Sequence, residues 1–157
     1  MEKFAAIVLS AGTGSRMKSD IPKQYMDLNG RPVIYYSLKA FEDSDVDSIV
    51  LVTGRDDIEY CRKEIVEKYG FTKVKAIIAG GAERYDSVFE GLKAVKDCDY
   101  VMIHDGARPF ITEEIIENPD NEAMKQGRDL EEYVARRFCR ETGKKVKRAN
   151  YIFRNEK

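Results

Sequence analysis

Two cations flank a loop of small residues that follows the first apolar run of the chain. The run is Phe4 to Leu9, and the loop after it carries the candidate phosphate ligands Ser10, Ala11, Gly12, Thr13 and Gly14. Successive backbone N–H groups in such a loop can point into one concavity and bind phosphate oxygens, and glycines allow a close approach to a ligand. Arg16 and Lys23 bring positive charge, and Pro22 fixes the backbone just before Lys23. The pattern predicts a triphosphate site in which the two cations neutralise developing charge; the alternative is a plain connection with two surface cations.

A carboxylate, Asp105, follows another apolar run, Tyr100 to His104. A carboxylate at a strand end beside a triphosphate is a natural ligand for Mg²⁺, which takes one or two carboxylates together with phosphate oxygens. The alternative is a capping or turn aspartate. Arg108 can contact the substrate or hold Asp105 in an ion pair. His104 is the only histidine, and its place at the end of a buried run is more typical of a structural residue than of a general base.

A third polar stretch runs from Gly80 to Ser87 and opens with two glycines. A helical pattern follows the glycines, so free N–H groups at the start of that helix can read the edge of a base. The alternative for Ser87 is a hydroxyl that only serves the helix N-terminus.

The elements that position these stretches alternate between strands and helices. Besides the two runs already named, Ser48 to Thr53 and Val74 to Ile78 predict buried strands. The inward positions of the three intervening helices are Ile34, Leu38 and Phe41; Ile58, Cys61, Ile65 and Tyr69; and Tyr85, Val88, Leu92 and Val95. Asp56 or Asp57 is expected to cap the second helix and Gly70 to end it. The alternation indicates an α/β fold with a parallel, doubly wound sheet, whose ligands bind beyond the carboxyl ends of the strands.

Composition and charge limit the class of protein. A chain of 157 residues that is 43% hydrophobic and 35% charged is expected to be a soluble globular protein. A net charge of −1 gives no overall attraction to nucleic acid or to an acidic membrane. No apolar run approaches the roughly 18 residues that a membrane span needs. The three cysteines, Cys61, Cys98 and Cys139, form no CxxC pair, predict no zinc site and fit a cytoplasmic protein.

Three blocks of sequence carry a family resemblance: LSAGTGSRM followed by PKQY, then GGAERYDSVFEGL, then HDGARPF. In order and spacing, residues 1 to about 117 resemble the 2-C-methyl-D-erythritol 4-phosphate cytidylyltransferases of the non-mevalonate isoprenoid pathway. The resemblance implies a Rossmann-like nucleotidyltransferase domain over 1–117, incomplete relative to the usual length of the family. It also implies an enzyme that transfers CMP from CTP to 2-C-methyl-D-erythritol 4-phosphate and releases pyrophosphate.

The resemblance also implies roles for single residues. It gives Arg16 and Lys23 the catalytic role at the phosphates and gives Asp105 the Mg²⁺ ion. Its cytosine contacts fall on the backbone of Gly81 and Ala82 and on the hydroxyl of Ser87. Relatives often have aspartate where Ala82 stands, a change that backbone contacts survive.

Two alternatives to this activity stay open. The first is the sister activity on ribitol 5-phosphate, although the glycine of HDGARPF favours methylerythritol phosphate. The second is a fragment that binds CTP without turnover. Family members carry a further stretch with sugar-phosphate contacts, a second metal carboxylate and a dimer-forming arm. Residues 118–157 show no counterpart of it, so the homodimer expected for the family would lack its arm.

Residues 118–157 form the second predicted unit, a basic tail with 11 Lys/Arg against 7 Asp/Glu. A helix over Met124 to Phe138 and a strand from Lys145 to Phe153 are expected there. From Gly127 to Phe138 and from Thr142 to Val146 the tail resembles the opening of YqaJ-type phage recombination exonucleases, whose helix glutamate (here Glu131 or Glu132) helps bind metal. This resemblance implies a join between two gene fragments or a mis-assembled reading frame, with weak DNA affinity through the tail. The alternative is an amphipathic helix with a charged outer face and no such role. Such a join would leave a sheet edge open, and open edges favour self-association.

Overall fold

Eight strands and three helices make up the regular structure of the residues that the computed structural model describes, which are 3–11, 21–95, 98, 100–107, 145–149 and 152–156. The strands are β1 (Phe4–Ser10), β2 (Asp27–Leu28), β3 (Arg31–Pro32), β4 (Ser48–Thr53), β5 (Val74–Ala79), β6 (Tyr100–Asp105), β7 (Lys145–Ala149) and β8 (Ile152–Glu156). The helices are α1 (Val33–Asp43), α2 (Ile58–Cys61, continued by a π-helical segment at Arg62–Glu67) and α3 (Arg84–Ala94), with 3₁₀ turns at Lys23–Tyr25 and Arg55–Asp57. Within these ranges no helix has the length and apolarity to cross a bilayer.

β1 is the central strand of the parallel part of the sheet. It pairs with β4 on one side and β6 on the other, and β5 pairs with β4, all in parallel. The predicted parallel, doubly wound α/β fold is therefore confirmed. The chain winds outward from β1 through β4 to β5 and then returns to place β6 on the other side of β1. The carboxyl ends of β1 and β6 thus flank a topological switch point, which is where open α/β sheets bind ligands.

Both faces of the sheet are covered, as continuous apolar strands require. Successive residues of β1 point to opposite faces, so Ala6 and Val8 join one core cluster and Ile7 and Leu9 join the other. The helix residues buried in the first cluster come from α1 and α2 and its π-helical continuation: Ile34, Leu38, Phe41, Cys61 and Ile65. Those buried in the second cluster come from α3: Val88, Phe89 and Leu92. This alternation decides which face each polar side chain at a strand end can reach.

The start of α2 differs from the prediction. Asp57 occupies the position before the helix, but its side chain makes no capping hydrogen bond, and Asp56 lies in the preceding 3₁₀ turn. The N–H of Asp57 donates to the Gly54 carbonyl at 3.0 Å, and this closes the turn with Asp57 in helical backbone geometry. A capping side chain needs an extended backbone at that position, so the expected cap is wrong. The predicted end is confirmed, since Gly70 has a φ of +67°.

The last described residues form a hairpin on the β6 edge rather than a single strand. β8 runs antiparallel to β6, with Val101 opposite Phe153, and β7 runs antiparallel to β8. A strand is present where one was expected, but the bounds Lys145 to Phe153 are wrong, because two antiparallel strands, Lys145–Ala149 and Ile152–Glu156, take its place. β6 is therefore paired on both sides, by β1 and by β8, so it is not an open edge of the sheet. The helix predicted over 124–138 and the boundary at 117–118 lie outside the described residues.

Candidate functional site

A cleft of about 200 Å³ opens beside the carboxyl ends of β1 and β6 and the start of α3. Three segments that follow different strands form its walls. Its lining residues are Leu9, Ala11, Gly81, Ala82, Glu83, Arg84, Ser87 and Asp105. Five of the residues predicted from the sequence are thus brought together at one place: Ala11, Gly81, Ala82, Ser87 and Asp105.

The turn between β5 and α3 is built closely against the rest of the cleft. The Gly80 N–H donates to the Thr53 carbonyl at 2.8 Å, and the Gly81 N–H donates to Ser87 Oγ at 3.2 Å. A Cβ on Gly80 would lie 2.6 Å from the Cβ of Ala11 and would also collide with Ser87 Oγ. Only glycine therefore fits at position 80, between Ala11 on one side and Ser87 on the other. The Ser87 hydroxyl accepts from Gly81 through its oxygen, which leaves its own hydrogen for a further acceptor.

α3 begins with a capping box. The Glu83 side chain accepts from the Asp86 backbone N–H, and the Asp86 carboxylate accepts from the Glu83 N–H at 3.3 Å. These reciprocal bonds fix the first turn of α3 against the cleft. Sequence reasoning missed Glu83 and Arg84 as lining residues. The signal that could have found them is their place one residue after the two glycines, where Glu83 caps α3 and Arg84 is its first residue.

Asp105 is the last residue of β6 and is held by the turn that follows it. Its Oδ1 accepts from the Ala107 N–H at 3.1 Å, and the Gly106 N–H donates to the Leu9 carbonyl at 2.7 Å. Because Leu9 is also the parallel partner of Asp105, the ends of β1 and β6 are locked together at this point. Asp105 is partly exposed and lines the cleft. Its oxygens are hard donors of the kind that Mg²⁺ selects.

His104 points to the opposite face of the sheet. It is buried, its Nε2 lies 3.3 Å from Ser37 Oγ, and its ring meets the Phe41 ring edge-on at 5.6 Å between centroids. Ser37 also donates to the Gly106 carbonyl at 3.4 Å. The histidine therefore packs against α1 on the face of the sheet opposite the cleft and does not line the cleft.

Lys23 is exposed at the start of the 3₁₀ turn and does not line the cleft. The next residue, Gln24, is buried and donates from Nε2 to the Ser10 carbonyl at 2.8 Å. Ser10 itself is buried and lies behind the cleft, where its Oγ is 3.3 Å from the Tyr25 hydroxyl. Lys23 is thus attached to the end of β1 through its neighbours.

The remaining predicted site residues lie outside the described residues: Gly12, Thr13, Gly14, Arg16 and Arg108. Their contacts stay predictions. The described side chains that line the cleft carry two carboxylates, Glu83 and Asp105, and one guanidinium, Arg84. A bound triphosphate would require further positive charge, which Arg16 and Lys23 are the candidates to supply.

Comparison with known proteins agrees with the geometry. The family described as 2-C-methyl-D-erythritol 4-phosphate cytidylyltransferase matches residues 4–131, which extends past the last motif block. A curated protein of that name from Lachnoclostridium phytofermentans is 59% identical over 111 residues, which are 71% of this chain and 48% of the relative. Another from Clostridium botulinum is 50% identical over 129 residues, which are 81% of this chain and 56% of the relative. The chain spans about half the length of the curated relatives it matches.

A solved structure gives the same assignment. The crystal structure of 4-diphosphocytidyl-2C-methyl-D-erythritol synthase from Anaerococcus prevotii superimposes with a TM-score of 0.63 at 33% identity, over 75% of this chain and 49% of that chain. The fold, the motif blocks and the sequence comparisons therefore indicate the same family. Since the family match extends over most of its residues, the chain belongs to the 2-C-methyl-D-erythritol 4-phosphate cytidylyltransferase family.

Proposed function

We propose that this protein binds CTP in the cleft between β1, β6 and α3 and transfers CMP to 2-C-methyl-D-erythritol 4-phosphate, with release of pyrophosphate. The observation that carries the proposal is the meeting of three motif segments, through Ala11, Ser87 and Asp105, around one cleft at the switch point of the sheet. Family membership names the reaction, and the cleft supplies a place for the nucleotide. Because the chain spans about half of its relatives, turnover and the alcohol substrate are part of the proposal.

The proposed reaction needs no protein nucleophile. A phosphate oxygen of the alcohol phosphate attacks the α-phosphorus of CTP and forms a P–O bond. The bond from the α-phosphorus to the bridging oxygen breaks, and its electron pair leaves with pyrophosphate. Negative charge grows on the α-phosphate oxygens and on the leaving oxygen, so catalysis is a matter of positioning and charge neutralisation. We assign that neutralisation to Arg16 and Lys23.

The base would lie against the start of α3. Cytosine offers acceptors at N3 and O2 and a donor at its exocyclic amine. The Ser87 hydroxyl, which accepts from the Gly81 N–H, keeps its own hydrogen for one of those acceptors. Gly81 and Ala82 present backbone without bulky side chains, so a flat ring can approach them closely.

Mg²⁺ is the cofactor that the family implies, and the described residues fit it. Asp105 would hold the ion with one carboxylate, which suffices because Mg²⁺ completes its shell with phosphate oxygens and water. When bound, the ion supplies neutralisation of triphosphate charge. The hydrogen bond from the Ala107 N–H to Oδ1 restricts the rotation of the Asp105 carboxylate before any ligand arrives.

Pyrophosphate release tests the proposal directly. The full chain is incubated with CTP and Mg²⁺, and with 2-C-methyl-D-erythritol 4-phosphate, ribitol 5-phosphate or neither. Release that depends on the methylerythritol phosphate is the expected result. Release with ribitol 5-phosphate alone would reassign the substrate, and CTP binding in calorimetry without release would leave a binding fragment. A chain that does not bind CTP would overturn the proposal.

Two lysine variants show whether the named residue is responsible. Lys23→Ala is expected to lower turnover by about 10²–10³-fold, the usual effect of removing one preorganised group that stabilises developing charge. Lys39→Ala is the matched control, because Lys39 is an exposed lysine on α1 that pairs with Asp43 at 3.1 Å. Equal turnover in the two variants would show that Lys23 has no catalytic role.

A further inference from the structure

Two consecutive residues after Lys23 contact the same residue of β1. The side-chain amide of Gln24 donates to the Ser10 carbonyl at 2.8 Å, and the Tyr25 hydroxyl lies 3.3 Å from Ser10 Oγ. Gln24 is only 4% exposed and Ser10 only 3%, whereas Lys23 beside them is exposed. The turn carrying Lys23 is thus fixed at two points while its ammonium group reaches solvent.

The anchor point is among the most constrained places in the sheet. Ser10 is the last residue of β1 and pairs with Thr53 of β4, while Leu9 before it pairs with Asp105 of β6. Burying the polar amide of Gln24 costs free energy unless it is hydrogen-bonded, so the bond to the strand end selects one position for the turn. The backbone of Lys23, which precedes Gln24, is therefore held in a fixed position relative to the end of β1.

We propose that Gln24 is a positioning residue that holds Lys23 beside the carboxyl end of β1, with the Tyr25 hydroxyl as a second point of attachment. The proposal rests on the proposed function, since Lys23 must act on the phosphates. An apolar side chain of the same length would fill the space of Gln24, but it could not fix the register between the turn and the end of β1. The amide is therefore needed for geometry rather than for volume.

Kinetics of Gln24→Met separate positioning from binding. Methionine keeps the length of glutamine and removes its donor. If Lys23 acts mainly on charge that develops in the transition state, its displacement lowers kcat more than it raises KM. We expect kcat to fall by about tenfold to a hundredfold, because displacements of about 1 Å have effects of this size, while KM for CTP changes by less than about threefold.

A double-mutant cycle gives a readout that a merely structural role would not move. In a Lys23→Met background, Gln24→Met should add less than about twofold, since the group it positions is already gone. Independent effects would instead multiply. The control is Tyr36→Phe, which removes a side-chain hydrogen bond to another backbone carbonyl, that of Leu28, and should leave kcat unchanged.

The outcomes are distinguishable. If Gln24→Met does not fold, Tyr25→Phe replaces it in the same cycle, because it removes the hydroxyl contact to Ser10 while keeping the ring. A wild-type chain that binds CTP without turnover overturns this inference but leaves the binding part of the proposed function, because Lys23 then has no transition-state charge to stabilise. Wild-type activity with an unchanged or independent Gln24→Met overturns the positioning role alone. A wild-type chain without CTP binding overturns the proposed function and this inference together.

Discussion

Gly80 is the residue on which the shape of the cleft depends most directly. A Cβ at this position would come within 2.6 Å of the Ala11 Cβ, and neither that atom nor the buried Ser87 has room to move cheaply. Gly80→Ala should therefore lower the free energy of unfolding by about 1–3 kcal/mol, the usual cost of overpacking. It should also weaken CTP binding, since relief of the clash displaces two lining residues. Urea unfolding and calorimetry with CTP measure the two effects.

Gly70→Ala is the matched control for that substitution. Gly70 has a φ of +67°, and among the described residues no atom beyond its chain neighbours lies within 4 Å of the place a Cβ would take. Alanine is therefore disfavoured there only by backbone conformation. It should cost about 1 kcal/mol of stability, the usual penalty for a left-handed residue with a Cβ. CTP affinity should stay at the wild-type level, and a Gly80→Ala protein that binds CTP as well as Gly70→Ala would show that the close approach is irrelevant to the site.

At the level of the elements, the central strands were predictable and their connections were not. Continuous apolar runs such as Ser48 to Thr53 have few alternatives to a buried strand, and the structure places this strand at those bounds. The predicted cap of α2 was wrong because a local turn, closed by the hydrogen bond from the Asp57 N–H to the Gly54 carbonyl, competes with side-chain capping. The antiparallel pairing of β7 with β8 was missed because the sequence between Ala149 and Ile152 holds no glycine or proline to signal a turn.

The contact between the Lys23–Tyr25 turn and α2 predicts a loss of stability at alkaline pH. The Tyr25 hydroxyl lies 3.3 Å from Cys61 Sγ. Burial raises the pKa of Tyr25 and raises the pKa of the Cys61 thiol from 9.0 to about 11. Both groups are therefore held neutral in the folded state. Their contribution is fully present below pH 9.0 and declines as the pH rises toward about 11, because the unfolded chain ionises first.

Urea unfolding between pH 8 and 11 checks this expectation. The wild-type free energy of unfolding should decrease with pH over the upper part of that range, and Cys61→Ala should decrease less steeply although its stability at neutral pH is lower. The variant keeps Tyr25, so part of the slope remains. Parallel curves for the two proteins would show that burial does not raise the pKa of the Cys61 thiol, because a group with the same pKa in both states adds nothing to the slope.

At the scale of the whole molecule, the topology located the site better than any single residue could. Predicting that three polar stretches follow strand ends was enough to bring Ala11, Ser87 and Asp105 together, since parallel strands share one carboxyl edge. The role of Gln24 could not be predicted in this way. Its partner is a backbone carbonyl 14 residues away, and a carbonyl carries no sequence signature.

The hairpin of β7 and β8 predicts how the two ends of the described chain depend on each other. β8 pairs with Tyr100, Val101 and Met102 of β6. β6 itself ends at Asp105, which lines the cleft. Deleting residues 145–157 would leave the backbone groups along that side of β6 without partners. An unpaired strand edge exchanges its amides faster and pairs with other chains.

We expect the shortened chain to show faster deuterium exchange at Val101 and Met102 and a shift to larger species in size-exclusion chromatography. Exchange in β4 is the internal control, because this strand keeps both of its neighbours, β1 and β5. A general loss of structure would accelerate β4 and β6 alike, whereas loss of the hairpin alone accelerates β6. Unchanged exchange at Val101 would mean that the hairpin does not cover this edge in solution. CTP affinity should then also be unaffected by the deletion, since nothing would connect the tail to the strand that carries Asp105.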